Sequence, residues 1–108
     1  METLATWRQA IRTVLTLPPT AAYPMPDLRE DLLEDATHNR FLVVRTGWYN
    51  GQNFYSVIQD VELRDNYVWI HRNNTEHDVV EELIEAGVAA DKIVLATVAP
   101  EQRQRVVA

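Results

Sequence analysis

The chain has 108 residues and a mass of 12.4 kDa, with 46% hydrophobic and 24% charged residues and a formal net charge of −6. This length suits one domain, and the apolar fraction is that of an ordinary globular core, so disorder is excluded as the main state. The absence of cysteine excludes disulfide frameworks, cysteine nucleophiles and thiolate metal sites. The acidic balance argues against free nucleic-acid binding, which requires cationic side chains.

Nothing in the sequence predicts a membrane span or a targeting segment. The longest apolar run, near Ile93 to Ala99, falls far below the ~18 residues that a spanning helix needs. The start Met1-Glu2-Thr3 does not resemble a signal peptide. We therefore expect a cytoplasmic protein with a single domain over residues 1–108.

The first segment predicts an amphipathic helix from about Thr3 to Thr16, because apolar residues recur at steps of three and four. The residues of this stripe are Leu4, Trp7, Ile11, Val14 and Leu15. The helix is expected to end at Leu17-Pro18-Pro19, since proline lacks the N–H that the next turn requires, and a loop follows through Pro24 and Pro26. Residues 28–35 fit a strand or a helical turn, and a strand is favoured.

Residues 41 to 72 are rich in β-branched and aromatic residues with a period of two, which predicts an antiparallel meander. Strands are expected to begin at Phe41, to run from about Phe54 to Arg64, and to run from Tyr67 to Arg72. Asn50-Gly51 and Asp65-Asn66 mark the two tight turns between them.

Alternation along these strands predicts which residues share a face. On the first strand, one face carries Leu42, Val44, Thr46 and Trp48, and the other carries Phe41, Val43 and Arg45. On the second strand, Tyr55 and Val57 are expected to share a face with Val61 and Leu63, with Gln59 as a polar interruption.

The last third predicts a helix and a strand. Thr75 to Asp78 form an N-cap signal followed by acids, with Asp78 placed for a capping box, and Gly87 is expected to end the helix. The buried stripe is expected to be Val80, Leu83 and Ile84. The run from Ile93 to Val98, ended by Pro100, predicts a strand that is central or covered on both faces.

These elements together predict an α+β fold. Its parts are an N-terminal helix, an antiparallel β-meander of about four to five strands, a second helix, and a C-terminal strand packed on the same sheet.

Three histidines, His38, His71 and His77, are the candidate metal ligands or acid–base groups. The loop between the last two also holds Asn73, Asn74, Glu76 and Asp78. No metal-ligand spacing such as His-x-x-x-His occurs, and the dipole of the predicted helix already explains the two acids. A structural role is the favoured interpretation, and no metal site is predicted.

Other catalytic constellations are equally weak. Ser56 is the only serine and lies within a predicted strand, without the turn that presents a serine nucleophile. The three glycines have no phosphate-loop spacing. Asp60, Glu62 and Asp65 resemble a nuclease cluster in composition, but alternating acids on the polar face of a strand are interpreted as solvated.

Five aromatic residues suggest a base-stacking platform, namely Trp48, Tyr49, Tyr55, Tyr67 and Trp69. The neighbouring basic residues are spread among acids, so packing in the core and across strands is the favoured interpretation. Nine of the ten basic residues are arginine, which favours bidentate contacts with carboxylates at an interface, although the base composition of the genome explains this bias equally well.

Four segments and the chain end carry a resemblance to a known family. They are Val44-Arg45-Thr46-Gly47-Trp48, Val68-Trp69-Ile70-His71-Arg72-Asn73-Asn74-Thr75-Glu76, Glu81-Glu82-Leu83-Ile84-Glu85-Ala86-Gly87-Val88, Asp91-Lys92-Ile93-Val94-Leu95-Ala96 and Val106-Val107-Ala108. In this order and spacing the chain resembles the XisI family, named for a factor that controls excision of a DNA element during heterocyst differentiation. The departures from the family pattern are Asn73-Asn74 for Asp-Gly, Ala89 for Pro, and Val98-Ala99-Pro100 for a His-Pro-Pro-like stretch.

The resemblance implies a non-enzymatic accessory factor. Such a protein acts with a second factor, XisH, which looks like a nuclease-fold protein, and regulates site-specific excision by a separate recombinase. The family pattern assigns no catalytic, cofactor-binding or metal-binding residues, so none is expected here. DNA is then reached only through the partner or the recombinase, and homo-oligomerisation is left open.

The surface that meets the partner is not fixed by the sequence. The candidate contacts are the acids of residues 75 to 86 together with Arg72, Arg103 and Arg105. The alternative hypothesis is a recombination directionality factor that binds DNA directly, which requires a local basic patch despite the net charge.

Overall fold

The structure, a computed structural model, describes residues 4–16 and 27–102 and confirms the predicted α+β class. Its elements are α1 (Leu4–Leu15), β1 (Leu28–Asp35), β2 (Arg40–Tyr49), β3 (Gln52–Arg64), β4 (Tyr67–Asn73), α2 (Val79–Glu85) and β5 (Ile93–Leu95). Neither described helix has the length and apolar character needed to cross a membrane.

Several predictions fall beyond the described residues. These are the helix break at Leu17-Pro18-Pro19, the loop through Pro24 and Pro26, the contacts of Arg103 and Arg105, and the apolar terminus of residues 106–108. Residues 28–35, by contrast, are described, and the strand favoured there is confirmed as β1.

The five strands form one sheet in the order β1-β2-β3-β4-β5. The first three pairs are antiparallel, as the meander predicts, and β5 pairs with β4 in parallel after the crossover through α2. The last strand was predicted to be central or covered on both faces. The central position was wrong, but consecutive residues Ile93 and Val94, which point to opposite sides of the strand, are both buried. The strand is a three-residue edge strand, because the chain turns after Leu95, where the Val98 amide donates to the Leu95 carbonyl at 3.2 Å.

Both helices pack on one face of the sheet, which we call the covered face. Trp7, Ile11 and Val14 of α1 and Val79 and Leu83 of α2 are buried there. The sheet residues that they meet include Phe41, Val43, Val61, Leu63, Val68 and Ile70. Burying one face against helices while leaving the other open is the usual solution for an antiparallel sheet in an α+β domain.

A β-bulge at Ile58 divides β3. Val43 pairs with Gln59 and Val44 pairs with Val57, so Ile58 has no partner on β2. Since side chains alternate along a strand, one extra residue moves everything before it to the opposite face. The prediction that Tyr55 and Val57 share a face with Val61 and Leu63 was therefore wrong.

Gln59 remains buried on the covered face, where its amide needs a partner. Gln59 Nε2 donates to Asn73 Oδ1 at 3.3 Å, and Asn73 Nδ2 donates to the His77 carbonyl at 2.8 Å. An aspartate at position 73 has no N–H to donate, so the Asn found here ties the end of β4 to the loop before α2.

The tight turns and the end of α2 follow their sequence signals. Asn50 and Gly51 have φ values of 51° and 74°, and Asp65 and Asn66 have 56° and 64°, as type I′ turns require. After α2, the Gly87 amide donates to Ile84 and the Val88 amide to Leu83. This Schellman arrangement confirms the predicted stop at Gly87, whose φ is 112°.

The predicted start of α2 was three residues early. Asp78 is itself the N-cap, and its side chain accepts from the Glu81 amide at 3.1 Å. The Thr75 hydroxyl instead accepts from the His77 amide at 3.2 Å within the preceding loop. Two capping residues three apart compete for the same role, and the later one, directly before buried Val79, begins the helix.

Gly47 is required by the close approach of the residue that precedes β1. A Cβ at this position would lie 1.9 Å from the Asp27 carbonyl oxygen, and the φ of Gly47 is +133°. The same carbonyl accepts the Trp48 amide at 3.1 Å, so the β1 end cannot retreat without losing that hydrogen bond.

We expect Gly47→Ala to lower the free energy of unfolding by about 3 kcal/mol, because it adds a backbone clash to an unfavourable φ. Gly51→Ala is the matched control: it also has a positive φ, but a Cβ there meets nothing within 4 Å. That variant should lose only about 1 to 2 kcal/mol. Chemical denaturation compares the two, and equal losses would contradict the role assigned to the Asp27 contact.

The turn between β1 and β2 predicts an acid-dependent term in stability. Asp35 accepts from the Thr37 amide at 2.9 Å and contacts His38 Nδ1 at 2.6 Å. The hydrogen bond to His38 is the main cause that lowers the pKa of Asp35. Its contribution is complete above the unfolded-state pKa, about 3.9, and is lost as the pH falls through the lowered folded value.

An NMR titration of the Asp35 carboxyl carbon tests this: the midpoint should lie below about 3.9 and should rise in His38→Ala. A midpoint that does not move in His38→Ala would show that the imidazole does not stabilise the carboxylate.

Candidate functional site

We call the sheet face opposite the helices the open face. It carries a column of side chains that are apolar or aromatic except for Thr46. Directly paired residues in an antiparallel sheet point to the same side. By the register, the column consists of Leu33, Leu42, Val44, Thr46, Trp48, Tyr55 and Val57. Neither α1 nor α2 lies over it, since both belong to the core of the covered face.

Three residues of the open face are unusually exposed for their type. Tyr55 has 80% of its surface exposed, Trp48 has 57% and Leu33 has 52%. Exposed apolar patches of this kind mark interaction sites more often than single scattered residues do. Packing in the core and across strands was the favoured interpretation of the aromatic residues, and the core part of it was wrong for Trp48, Tyr49 and Tyr55. The bulge at Ile58 turns Tyr55 outward, and Trp48 points to the side of the sheet opposite to buried Phe41 and Val43. Tyr49 is the last residue of β2 and is exposed beside the hairpin turn.

A network of charged side chains borders this column where β2 begins and β3 ends, which is the end of the strand pair away from Trp48. Arg40 donates two hydrogen bonds to Asp60, at 2.6 and 3.0 Å, and lies 3.7 Å from Glu62. The hydrogen bonds to Asp60 raise the pKa of Arg40 above its ordinary value. His71 Nε2 lies 2.8 Å from Glu62 Oε1, and Arg64 lies 3.7 Å from the same oxygen.

The prediction that the carboxylates of this network are solvated was wrong for two of the three. The side chains of Asp60 and Glu62 are only 17% and 13% exposed. Their cationic partners are Arg40 of β2, Arg64 of β3 and His71 of β4. A second bulge, at His71, places His71 and Arg72 together opposite Asp60. Asp65 is the exception, since it lies in the turn and is 79% exposed.

Two aromatic residues of the predicted platform act as partners for cations instead. The Arg64 guanidinium lies 4.0 Å from the centroid of the Trp69 ring, and Trp69 Nε1 donates to the Arg64 carbonyl at 3.0 Å. Lys92 lies 4.9 Å from the centroid of the Tyr67 ring. Such contacts each contribute about 0.5 to 1 kcal/mol where they are exposed. The Arg64 contact joins β3 to β4, and the Lys92 contact joins β4 to the residue before β5.

The three histidines do not come together. His38 contacts Asp35, His71 contacts Glu62, and His77 Nδ1 lies 2.8 Å from Glu82 Oε2. Within residues 4–16 and 27–102, no group of three His, Asp or Glu side chains is placed to hold a metal ion. Ser56 lies within β3 opposite Arg45, away from all three histidines.

The arginines form their carboxylate contacts within the chain. Among the described residues these pairs include Arg12 with Glu34, Arg29 with Asp31, Arg40 with Asp60, Arg45 with Glu30, and Arg64 with Glu62. The interpretation of the arginine bias as an interface signal missed the longer-range pairs. Arg12 of α1 meets Glu34 of β1 across 22 residues, and Arg40 and Arg45 meet carboxylates on neighbouring strands, so these contacts depend on tertiary packing. A guanidinium already paired with a carboxylate adds little to phosphate binding.

The net negative charge is concentrated in the C-terminal third of the chain. Seven of the 16 acidic residues lie between Glu76 and Glu101, where Lys92 is the only basic residue, so this segment alone has the charge of −6. The remaining nine acids are balanced by nine arginines. Glu81 and Glu85 project from α2 on the helix layer, which is the side of the sheet away from the open face.

Replacing Glu62 by Gln tests the network. The change leaves Arg40, Arg64 and His71 facing a neutral amide in a poorly exposed position, and we expect a loss of about 1.5 to 3 kcal/mol in the free energy of unfolding. Asp65→Asn is the control, since Asp65 is exposed and makes one long contact with Arg64, at 3.8 Å. Urea denaturation should show a change within about 0.5 kcal/mol for the control, and a similar value for Glu62→Gln would contradict the network's role.

Comparison with known proteins supports the resemblance seen in the sequence. An XisI-like protein from Anabaena variabilis ATCC 29413 has a similar structure, with a TM-score of 0.82 and 26% identity over 98% of this chain and 100% of that one. The fdxN element excision controlling factor XisI from the same organism shares the fold, with a TM-score of 0.70 and 21% identity over 95% of this chain and 100% of that one. None of the curated proteins matches the chain.

The match to a family model decides the assignment. The model of the XisI protein family aligns with residues 1–107, which is almost the whole chain. The chain therefore belongs to the XisI family.

Proposed function

We propose that the protein is a non-enzymatic controlling factor that acts through a protein partner, an XisH-like protein, in regulating the excision of a DNA element. The observation that carries the proposal is the family match over residues 1–107. A structural relative of the same fold is an fdxN element excision controlling factor. The proposal extends that role to this chain.

The chemistry of the described residues supports a binding role. The acid–base groups on the sheet are engaged with one another, with Asp60 and Glu62 bonded to Arg40 and His71. A general base or nucleophile must instead present a free atom to a substrate. An accessory protein needs only surfaces, and the open face of the sheet and the exposed side of the helix layer, with Glu81 and Glu85, are two such surfaces of different charge.

The acidic segment between Glu76 and Glu101 supports a basic partner. Its charge of −6 is not neutralised within the segment, so its field extends into solvent and accelerates encounter with a cationic surface. A partner that binds DNA carries such a surface, and the acidic segment would compete with DNA for it. DNA is then affected through the partner, since most arginines of the described residues already pair with carboxylates.

Co-expression with an XisH-like protein, followed by size-exclusion chromatography with light scattering at low and moderate salt, tests the proposal. We expect one heteromeric peak at low salt, and a weaker complex as the salt concentration rises and screens the charges. Separate peaks at both salt concentrations would overturn the proposal. A DNA fragment shifted by the protein alone would favour the direct-binding alternative.

A pair of double variants assigns the surface. Glu81→Gln with Glu85→Gln removes two exposed charges of α2, and we expect the affinity to fall at least about tenfold at low salt. Asp27→Asn with Asp65→Asn removes two charges outside the acidic segment and should leave the affinity within about twofold. Equal losses in the two double variants would show that only net charge matters.

A further inference from the structure

We propose that the open face is the contact surface of a homodimer, in which a second copy of this chain packs face to face on the column from Leu42 to Trp48. The inference goes beyond the proposed function, because it concerns the opposite side of the sheet from the acidic segment. The observation behind it is the exposure of Tyr55, Trp48 and Leu33 on the same face of the sheet.

The size of the surface fits a dimer. Strands lie about 4.8 Å apart and rise about 3.4 Å per residue, so four strands over about eight residues present a flat footprint on the order of 500 Å². Two such faces together reach about 1,000 Å², which is the lower bound of a specific interface. A twofold arrangement uses the same patch twice, so no second complementary surface is required.

The charges of the open face suit contact with itself. By the register, this face carries four arginines and four acids, namely Arg29, Arg40, Arg64, Arg72, Asp31, Asp35, Asp60 and Glu62. Their sum is zero, whereas the segment from Glu76 to Glu101 accounts for the net charge. Two copies can therefore approach through this face with the acidic segments turned away from each other, and like-charge repulsion does not oppose the contact.

The ends of the face complement each other. Trp48 lies four residues after Val44 on β2, and Arg40 lies four residues before it. A twofold axis that lies between the two faces above Val44, parallel to the sheets and at right angles to β2, brings Trp48 of one copy toward Arg40 of the other. The Arg40 side chain is 35% exposed and donates to Asp60, so it offers a partly accessible planar cation to an aromatic ring.

Sedimentation equilibrium of the purified full chain, from about 1 to about 100 μM, tests the dimer. We expect the mass to approach twice the 12.4 kDa of one chain. Tyr55→Glu places a charge at the centre of the contact, and Trp48→Ser removes the ring, so each should raise the dimer dissociation constant at least about tenfold.

Tyr49→Glu is the matched control. Tyr49 neighbours Trp48 on β2 and is 41% exposed, but it points to the other side of the sheet. This variant should dimerise as the parent chain does, and thermal unfolding followed by circular dichroism should show that all variants remain folded. A parent chain that stays monomeric at the highest concentration overturns the proposal, as does a dimer that tolerates both Tyr55→Glu and Trp48→Ser.

Dimer formation and binding of an XisH-like protein are tested independently of each other. A dimer without an XisH-like complex supports this inference and opposes the proposed function. A heteromeric complex formed by a chain that is itself strictly monomeric supports the proposed function and overturns the dimer. The open face would then bind a protein other than a second copy of this chain.

Discussion

The bulge at Ile58 is the constraint on which the two sides of this sheet depend. By placing one unpaired residue between Val57 and Gln59, it keeps Gln59, Val61 and Leu63 against the helices while turning Tyr55 outward. A regular strand would put either Tyr55 or Val61 in the wrong environment. The bulge therefore lets one strand serve both a buried core and an exposed aromatic surface, and bulges near functional surfaces commonly redirect side chains in this way.

Charged side chains are arranged differently on the sheet and in the segment from Glu76 to Glu101. On the sheet, charged groups are matched in pairs such as Arg40 with Asp60 and Arg45 with Glu30, and they give orientation without a net field. Along the segment from Glu76 to Glu101 the acidic residues far outnumber the basic one, so this segment creates a net negative field. The molecule thus offers a neutral aromatic face on one side and an acidic helix layer on the other, which are suited to different partners.

Local signals made much of the fold predictable from sequence. The stripe of α1, the positive-φ turns at Asn50-Gly51 and Asp65-Asn66, and the stop at Gly87 each depend on neighbouring residues only. All were confirmed except for Leu4 of the stripe, which is 43% exposed. The errors arose where tertiary pairing decides. The bulge, the edge position of β5 and the ion pairs across strands depend on register, which alternation in a single strand does not encode. The choice between Thr75 and Asp78 as N-cap similarly depended on where Val79 is buried.

The most direct test of the bulge is a nuclear Overhauser spectrum of the isotope-labelled chain. The account predicts contacts from the Tyr55 ring to Thr46 and from Val57 methyls to Val44 methyls, with none from Tyr55 to the helices. Contacts between the Tyr55 ring and buried α1 residues such as Val14 would contradict it. In that case the first half of β3 would face the core, and the open aromatic face on which the dimer depends would not exist.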